Sequence, residues 1–538
     1  MKWWKEGVVY QIYPRSFSDS NNDGIGDIRG IIAHLDDLSD LGVDVLWLSP
    51  VYPSPNADYG YDISDYKSIH KDYGTMDDMM ELIHESEKRN IKIVMDLVIN
   101  HTSDEHEWFK MSRDPESPYR DYYYWRPGKE SGPPNNWTSF FAEGCWEYDE
   151  VSGEYYMHLF GAKQPDLNYH NPKVVDEIKG VMKFWLEKGV SGFRCDVINI
   201  IYKTSLEDGK MKLVLTGSEH YLAQEGAHDI LRTLRKDVLS GFDCFTVGET
   251  VFVTPEMGKD LCDESRKELD MIFSFEHMET DQFIVKWFKR KFNPKRFADV
   301  LFKWQESIEW NANYLENHDQ PRSVSRFGDD QNFWKPSAKM LATCLLTLKG
   351  TPFIYQGQEI GMTNYGFTKL NQIKDIETHS VVAFAKNLRI PQWYLWSMIR
   401  KNSRDNARTP YQWNSKDNAG FSEHEPWILV NPNYLMINRE NQEKDPGSVL
   451  SYYKMMIRLR KENQVLIEGE FIPLKASKTL MIYQRKLGKQ LWTIVLNFSN
   501  RSVKYQNEGK IIISNYGDEH IFGMLKPFES AVYDNSHI

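Results

Sequence analysis

NPKVVDEIKGVMKFWLEKGVSGFRCD, residues 171–196, contains one complete helix-to-strand unit. Asn171 is a helix-capping residue, and Pro172 suits the first helical position because its missing N–H costs nothing there. Val175, Ile178, Met182, Trp185 and Leu186 recur at helical spacing and mark one apolar face. Gly189 supplies a left-handed stop. The short run Gly192–Asp196 then reads as a buried strand carrying Arg and Asp at its end.

The same rhythm extends in both directions. Upstream, Ile28, Ile31, Ile32, Leu35 and Leu38 predict a helix over 27–41, closed by Gly42 and followed by a strand at Val45–Leu48. Thr75 and Asp78 form a capping signature for a helix ending near Asn90, and IKIVMDLVIN follows as a strand. Further strands are expected at Val8–Tyr13, Phe245–Glu249, Met271–Phe275, Asn313–Asn317 and Thr351–Gln356. The fold class is therefore α/β. Eight parallel strand–helix units close into a (β/α)8 TIM barrel whose site lies at the strands' C-terminal ends.

Two stretches break the rhythm. Residues 103–170 are rich in Tyr, Trp, Pro and Gly and read as a loop-rich domain inserted after the third strand. From 465 to 538 the period becomes two, and TLMIYQRK and QLWTIVLNFS flank a turn at Leu487-Gly488-Lys489, the mark of an antiparallel C-terminal β-sandwich domain. The barrel then comprises 1–102 and 171–464.

Composition narrows the function. The 538 residues are 41% hydrophobic and 26% charged, with a net charge of −12. That charge disfavours nucleic acid, which demands concentrated cations. Five scattered cysteines, with no CxxC pair, fit a reducing cytoplasm. With no apolar leader and no run of about 18 apolar residues, the expectation is a cytoplasmic protein without membrane contact. Aromatics reach 14%, and aromatic faces suit sugar rings as well as cores.

Four expected strand ends carry polar groups: His101 in DLVINH, Arg194 and Asp196 in GFRCD, Glu249 in FTVGE, and His318 with Asp319 in ENHD. One acid at a strand end is commonly a helix cap. Four such ends converge on one mouth in a parallel barrel, which points to a shared site.

These motifs resemble the signature regions of the α-amylase superfamily, glycoside hydrolase family 13. QPDLN (164–168), SPNADYGYDISDY (54–66), NHTSDEHEWF (100–109), YQGQEIGMTN (355–364) and RDNARTPYQW (404–413) are similar to its oligo-1,6-glucosidase and dextran glucosidase branch. The resemblance implies Asp196 as nucleophile, Glu249 as general acid/base and Asp319 as the third acid. Retaining chemistry places the first two carboxyls ~5–5.5 Å apart. It implies His101, His318, Arg194, Phe160 and Gln164 around the terminal glucose, Tyr61 stacking beneath it, and Asp58 with Arg404 gripping its far end. Val197 resembles the residue that favours α-1,6 over α-1,4 links. The substrate implied is a small α-glucoside, cut from its end by a chain expected to be monomeric and without an organic cofactor.

Asp19, Asn21, Asp23, the Ile25 carbonyl and Asp27 present hard oxygens at alternate positions, an arrangement that suits a structural Ca²⁺. Tyr59, Gln358, Glu316 and Ser403 depart from the branch pattern and are expected near the mouth. A sucrose-isomerising or other transglucosylating relative is the alternative. HMETDQFIVKW (277–287) lacks the arginine-rich loop typical of the isomerases, which favours hydrolysis. A non-catalytic, transporter-associated relative would lack the three acids kept here.

Overall fold

The computed structural model describes residues 2–130, 132–141, 143–283, 285–387 and 389–537. Eight parallel strands form the barrel: β1 Val9–Ile12, β2 Val45–Leu48, β3 Lys92–Leu97, β4 Gly192–Cys195, β5 Phe245–Glu249, β6 Met271–Phe273, β7 Ala312–Asn313 and β8 Thr351–Tyr355. Their order is β7-β8-β1-β2-β3-β4-β5-β6. The seam between β6 and β7 is held by side chains, with Tyr314 Oη donating to the Ser274 carbonyl at 3.0 Å and His277 Nε2 2.9 Å from the Tyr314 carbonyl.

Register fixes which side chains meet. Asp96 of β3 pairs directly with Arg194 of β4, and Glu249 of β5 pairs with Phe273 of β6. Gly192 opens β4 at φ 149°, and a Cβ there would overlap the Phe245 carbonyl, so only glycine lets β4 approach β5.

The helix Pro172–Glu187 is capped by Asn171 and buries Ile178, Met182, Trp185 and Leu186. The helix Met76–Glu87 carries the expected Thr75–Asp78 capping box. Two expectations change in detail. The segment 27–41 is two helices, Ile28–Ala33 and Leu35–Leu41, because His34 leaves helical geometry and stacks 3.4 Å from the ring of Trp413. The seventh strand is Ala312–Asn313 alone.

Between β3 and β4 lies a three-stranded antiparallel sheet of Trp125–Arg126, Glu154–Met157 and Trp146–Asp149. The C-terminal region forms a five-stranded antiparallel sheet that includes Leu480–Leu487 and Gln490–Asn497. Alternation decides its two faces. Met481, Tyr483, Ile494 and Leu496 join the main core, whereas Leu480, Ile482 and Val495 pack under Leu525 and Val503.

Candidate active site

The barrel mouth is organised around one buried guanidinium. Arg194 Nη1 donates to Asp96 Oδ1 at 2.7 Å and also to Asp196 Oδ1, and its Nη2 lies 2.7 Å from Glu249 Oε2. Three carboxylates thus share one cation, and all four groups are out of water. Burial pushes Asp196 up to about 6, with Arg194 opposing and Asp96 adding to the rise. Burial likewise pushes Glu249 up to about 7, against Arg194 and with Asp196 and Asp319 raising it further. Asp96 is pushed by burial up to about 6. A single cation does not support three buried anions at neutral pH. The cluster therefore keeps a proton near neutrality, and Glu249 is the group best disposed to hold it.

The facing wall is organised by a second arginine. Arg404 Nη2 binds Asp58 Oδ1 at 3.0 Å, Nη1 lies 3.3 Å from Asp319 Oδ1, and Nε donates to Asp375 Oδ1 at 2.8 Å. Asp319 also meets Arg408 Nη2 at 2.8 Å and His318 Nε2 at 3.0 Å. Burial would raise its carboxyl, yet His318, Arg404 and Arg408 outweigh burial and hold it well below the usual range. Asp319 is therefore anionic across the range in which Glu249 exchanges its proton.

The remaining expected residues join these two walls. Gln11 Nε2 donates to His318 Nδ1 at 2.8 Å, which leaves the imidazole proton on Nε2 facing Asp319. The His318 ring lies parallel to Tyr61, 5.1 Å away, and Tyr61 Oη donates to Asp96 Oδ2 at 3.0 Å. His101 Nε2 lies 3.0 Å from the Tyr61 carbonyl and 3.1 Å from Gln164 Nε2, which reaches Asp58 Oδ2 at 3.4 Å. Phe160 packs 5.1 Å from His101. Val197 occupies the left-handed region at φ 35°, where a β-branched residue is strained, and its N–H donates to Glu249 Oε2 at 3.2 Å. Its side chain packs with Trp137, Leu159 and Ile200, at the boundary with the inserted sheet.

Two buried acids bonded to these arginines escaped the sequence reading. Asp96 sits inside an apolar strand, and such an acid requires a buried partner; that was its available signal. Asp375 lies in a loop with no comparable mark. Glu316, Gln358 and Ser403 are buried and spend their side chains on protein partners. Glu316 pairs with the buried Arg322 at 3.1 Å, Gln358 Oε1 accepts from the Tyr355 amide at 3.2 Å, and Ser403 accepts from Thr378 at 3.0 Å. Tyr59 is set apart from them, with its ring 5.2 Å from Trp427.

The 19–27 loop is held by its own side chains. Asp19 Oδ1 accepts from the Asn22 amide at 2.7 Å and Oδ2 from Gly24 at 2.8 Å. Asn21 accepts from the Asp23 amide at 2.9 Å, and Asp23 accepts from Ile25 at 2.8 Å. Asp27 caps the next helix through Gly30 at 2.6 Å. These oxygens turn onto the loop's own backbone, as Asx residues do in turns. Among the described residues, no group of three or more His, Cys, Asp and Glu side chains is placed to hold a metal ion. All five cysteines are unpaired, and no helix among the described residues is long and apolar enough to cross a membrane.

Comparison with known proteins agrees with this geometry. The family model described as "Alpha amylase, catalytic domain" matches residues 11–469. An oligo-1,6-glucosidase from Parageobacillus thermoglucosidasius is 50% identical, over 99% of this chain and 98% of its own. The crystal structure of an isomaltulose synthase from Klebsiella sp. LX3 superposes with TM-score 0.96 at 42% identity, covering 99% of each chain. That of a trehalose-6-phosphate hydrolase from Bacillus licheniformis gives 0.94 at 41%, covering 99% of this chain and all of the other.

Proposed function

The chain belongs to the α-amylase family of glycoside hydrolases, and from that premise we propose that it is a retaining, exo-acting α-glucosidase that removes terminal α-1,6-linked glucose from short oligosaccharides. The observation that carries the proposal is the single guanidinium shared by two carboxylates. Arg194 touches Glu249 through Nη2 and Asp196 through Nη1. Adjacent nitrogens of one arginine hold carboxyls close, which suits the ~5–5.5 Å of a retaining pair and not the ~6.5–9.5 Å that an inverting enzyme needs for its water.

In this reading Asp196 attacks the anomeric carbon while Glu249 protonates the leaving oxygen. A glucosyl ester on Asp196 results, and Glu249, now a base, activates the water that hydrolyses it. Asp319, anionic throughout, holds ring hydroxyls and favours positive charge developing in the sugar. Asp58 and Arg404 close the far end of the pocket around one terminal glucose. The named activity of the half-identical relative and the stiff Val197 directly after Asp196 support the α-1,6 preference.

Calcium in the 19–27 loop belongs to the same proposal. An oxygen that accepts one backbone N–H keeps a lone pair, so the loop's oxygen set still suits a hard cation, in a structural role. Five unpaired cysteines support a cytoplasmic enzyme.

The test is trapping. A 5-fluoro-α-glucosyl fluoride should label one carboxylate, and peptide mass spectrometry should place the label on Asp196. Labelling of another residue, or none with the enzyme turning over, refutes the assignment. Product analysis on sucrose separates hydrolysis, which releases glucose and fructose, from isomerisation.

A further inference from the structure

Asp62 is a buried acid that none of the chemistry above uses. Its carboxylate is wholly shielded from solvent, and among the described residues no cation lies within ion-pairing distance of it. It accepts three hydrogen bonds instead: Oδ1 from Ser54 Oγ at 2.8 Å and from the Asp58 amide at 3.0 Å, and Oδ2 from the Ala57 amide at 2.8 Å. All three donors belong to the strap that carries Asp58.

That strap is conformationally costly. Asn56, Tyr59 and Gly60 have φ values of 62°, 45° and 106°, so three of the four residues flanking Asp58 sit in left-handed space. For the two non-glycine residues this costs of order 1–3 kcal/mol each, and such geometry persists only where the surroundings impose it. Tyr61 has its own anchors, through Asp96 and the parallel ring of His318. The backbone of Asp58 has Asp62. A charged acceptor is a stronger anchor for backbone N–H groups than a neutral one, which explains an unpaired carboxylate in a site where burial pushes it up to about 6.

We propose that Asp62 is a positioning residue that holds the strap by the Ala57 and Asp58 amides, so that Asp58 meets Arg404 at the end of the glucose pocket. The proposal rests on the pocket reading given above. Because Asp58 is remote from the bond being broken, its grip contributes alike to the ground state and the transition state, so its loss raises KM and spares kcat.

The experiment is a double-mutant cycle on an aryl α-glucoside, whose turnover is independent of linkage preference, so a wrong linkage assignment leaves it readable. Asp62→Asn should raise KM about tenfold, the scale of one buried hydrogen bond to a charge, with kcat within about twofold. In an Asp58→Asn background the same change should cost little, because the residue it acts through is already lost. Ser54→Ala, which removes one donor and keeps the acid, should give a smaller KM effect with the same non-additivity; it also serves if Asp62→Asn folds poorly. Additive effects, or a fall in kcat and melting temperature with KM unchanged, would overturn the proposal. Failure of Asp58→Asn itself to raise KM would count against the pocket reading instead.

Discussion

The backbone N–H of Val197 donates to Glu249 Oε2 at 3.2 Å, and it does so from a left-handed conformation that a β-branched residue rarely adopts. The strain thus aims the backbone N–H of the residue after Asp196 at the acid, while its stiff side chain packs with Trp137, Leu159 and Ile200. Val197→Ala keeps the N–H and removes the branch. Its kcat/KM on maltose should rise about tenfold or more relative to isomaltose, the scale of a methyl-sized clash. An unchanged ratio would remove Val197 as the selector of linkage.

The shared guanidinium predicts the pH profile. The acid limb of kcat/KM should lie near 6, where Asp196 must ionise, and the alkaline limb near 7, where Glu249 loses its proton. These limbs belong to the coupled cluster and not to either residue alone. Asp96→Asn removes an anion that raises Asp196, so the acid limb should move to lower pH while kcat falls. A profile fixed in position would show that Asp96 is not electrostatically coupled to the site.

Much of this was legible in the sequence for a physical reason. Helix caps and apolar spacing are local signals, so Asn171-Pro172 and Thr75-Asp78 fixed their helices and left the strands between them. Strand ends then located the mouth. Tertiary contacts were not legible: the break at His34 depends on Trp413, which lies far along the chain. Register was also hidden. Only the pairing of β3 with β4 reveals that Asp96 faces Arg194. Alternate oxygens in 19–27 suit cation ligands and backbone turns alike, and only the structure shows their bonds to the loop's own amides.

Two buried arginines, Arg485 on the strand Leu480–Leu487 and Arg460 on the helix Val449–Glu462, have no carboxylate partner among the described residues. Arg485 donates to the carbonyls of Thr347 and Leu466 at 2.7 Å and of Gly469 at 2.8 Å, and Arg460 donates to Gly350 at 2.6 Å and Leu466 at 2.8 Å. They satisfy carbonyls left open past the helix Trp334–Thr347. Arg485→Leu should lower stability by at least about 3 kcal/mol, since several buried acceptors lose their donors. Thermal melting checks the loss, and kcat/KM at 25 °C should stay within about twofold.

Calcium is tested by removal. One bound ion should appear per chain by elemental analysis, and chelation should lower the melting temperature, because a ligand of the native state alone stabilises by mass action. Asp23→Ala should abolish both effects. No calcium and an unshifted melting temperature would leave the loop as a self-bonded turn.

The central claim is that Asp196 and Glu249 act as a retaining pair on one guanidinium. Proton NMR of the first glucose released from isomaltose, read before mutarotation, tests it most directly. Net retention predicts the α-anomer first, with β-glucose appearing only as the free sugar equilibrates. β-Glucose as the initial product would contradict the account.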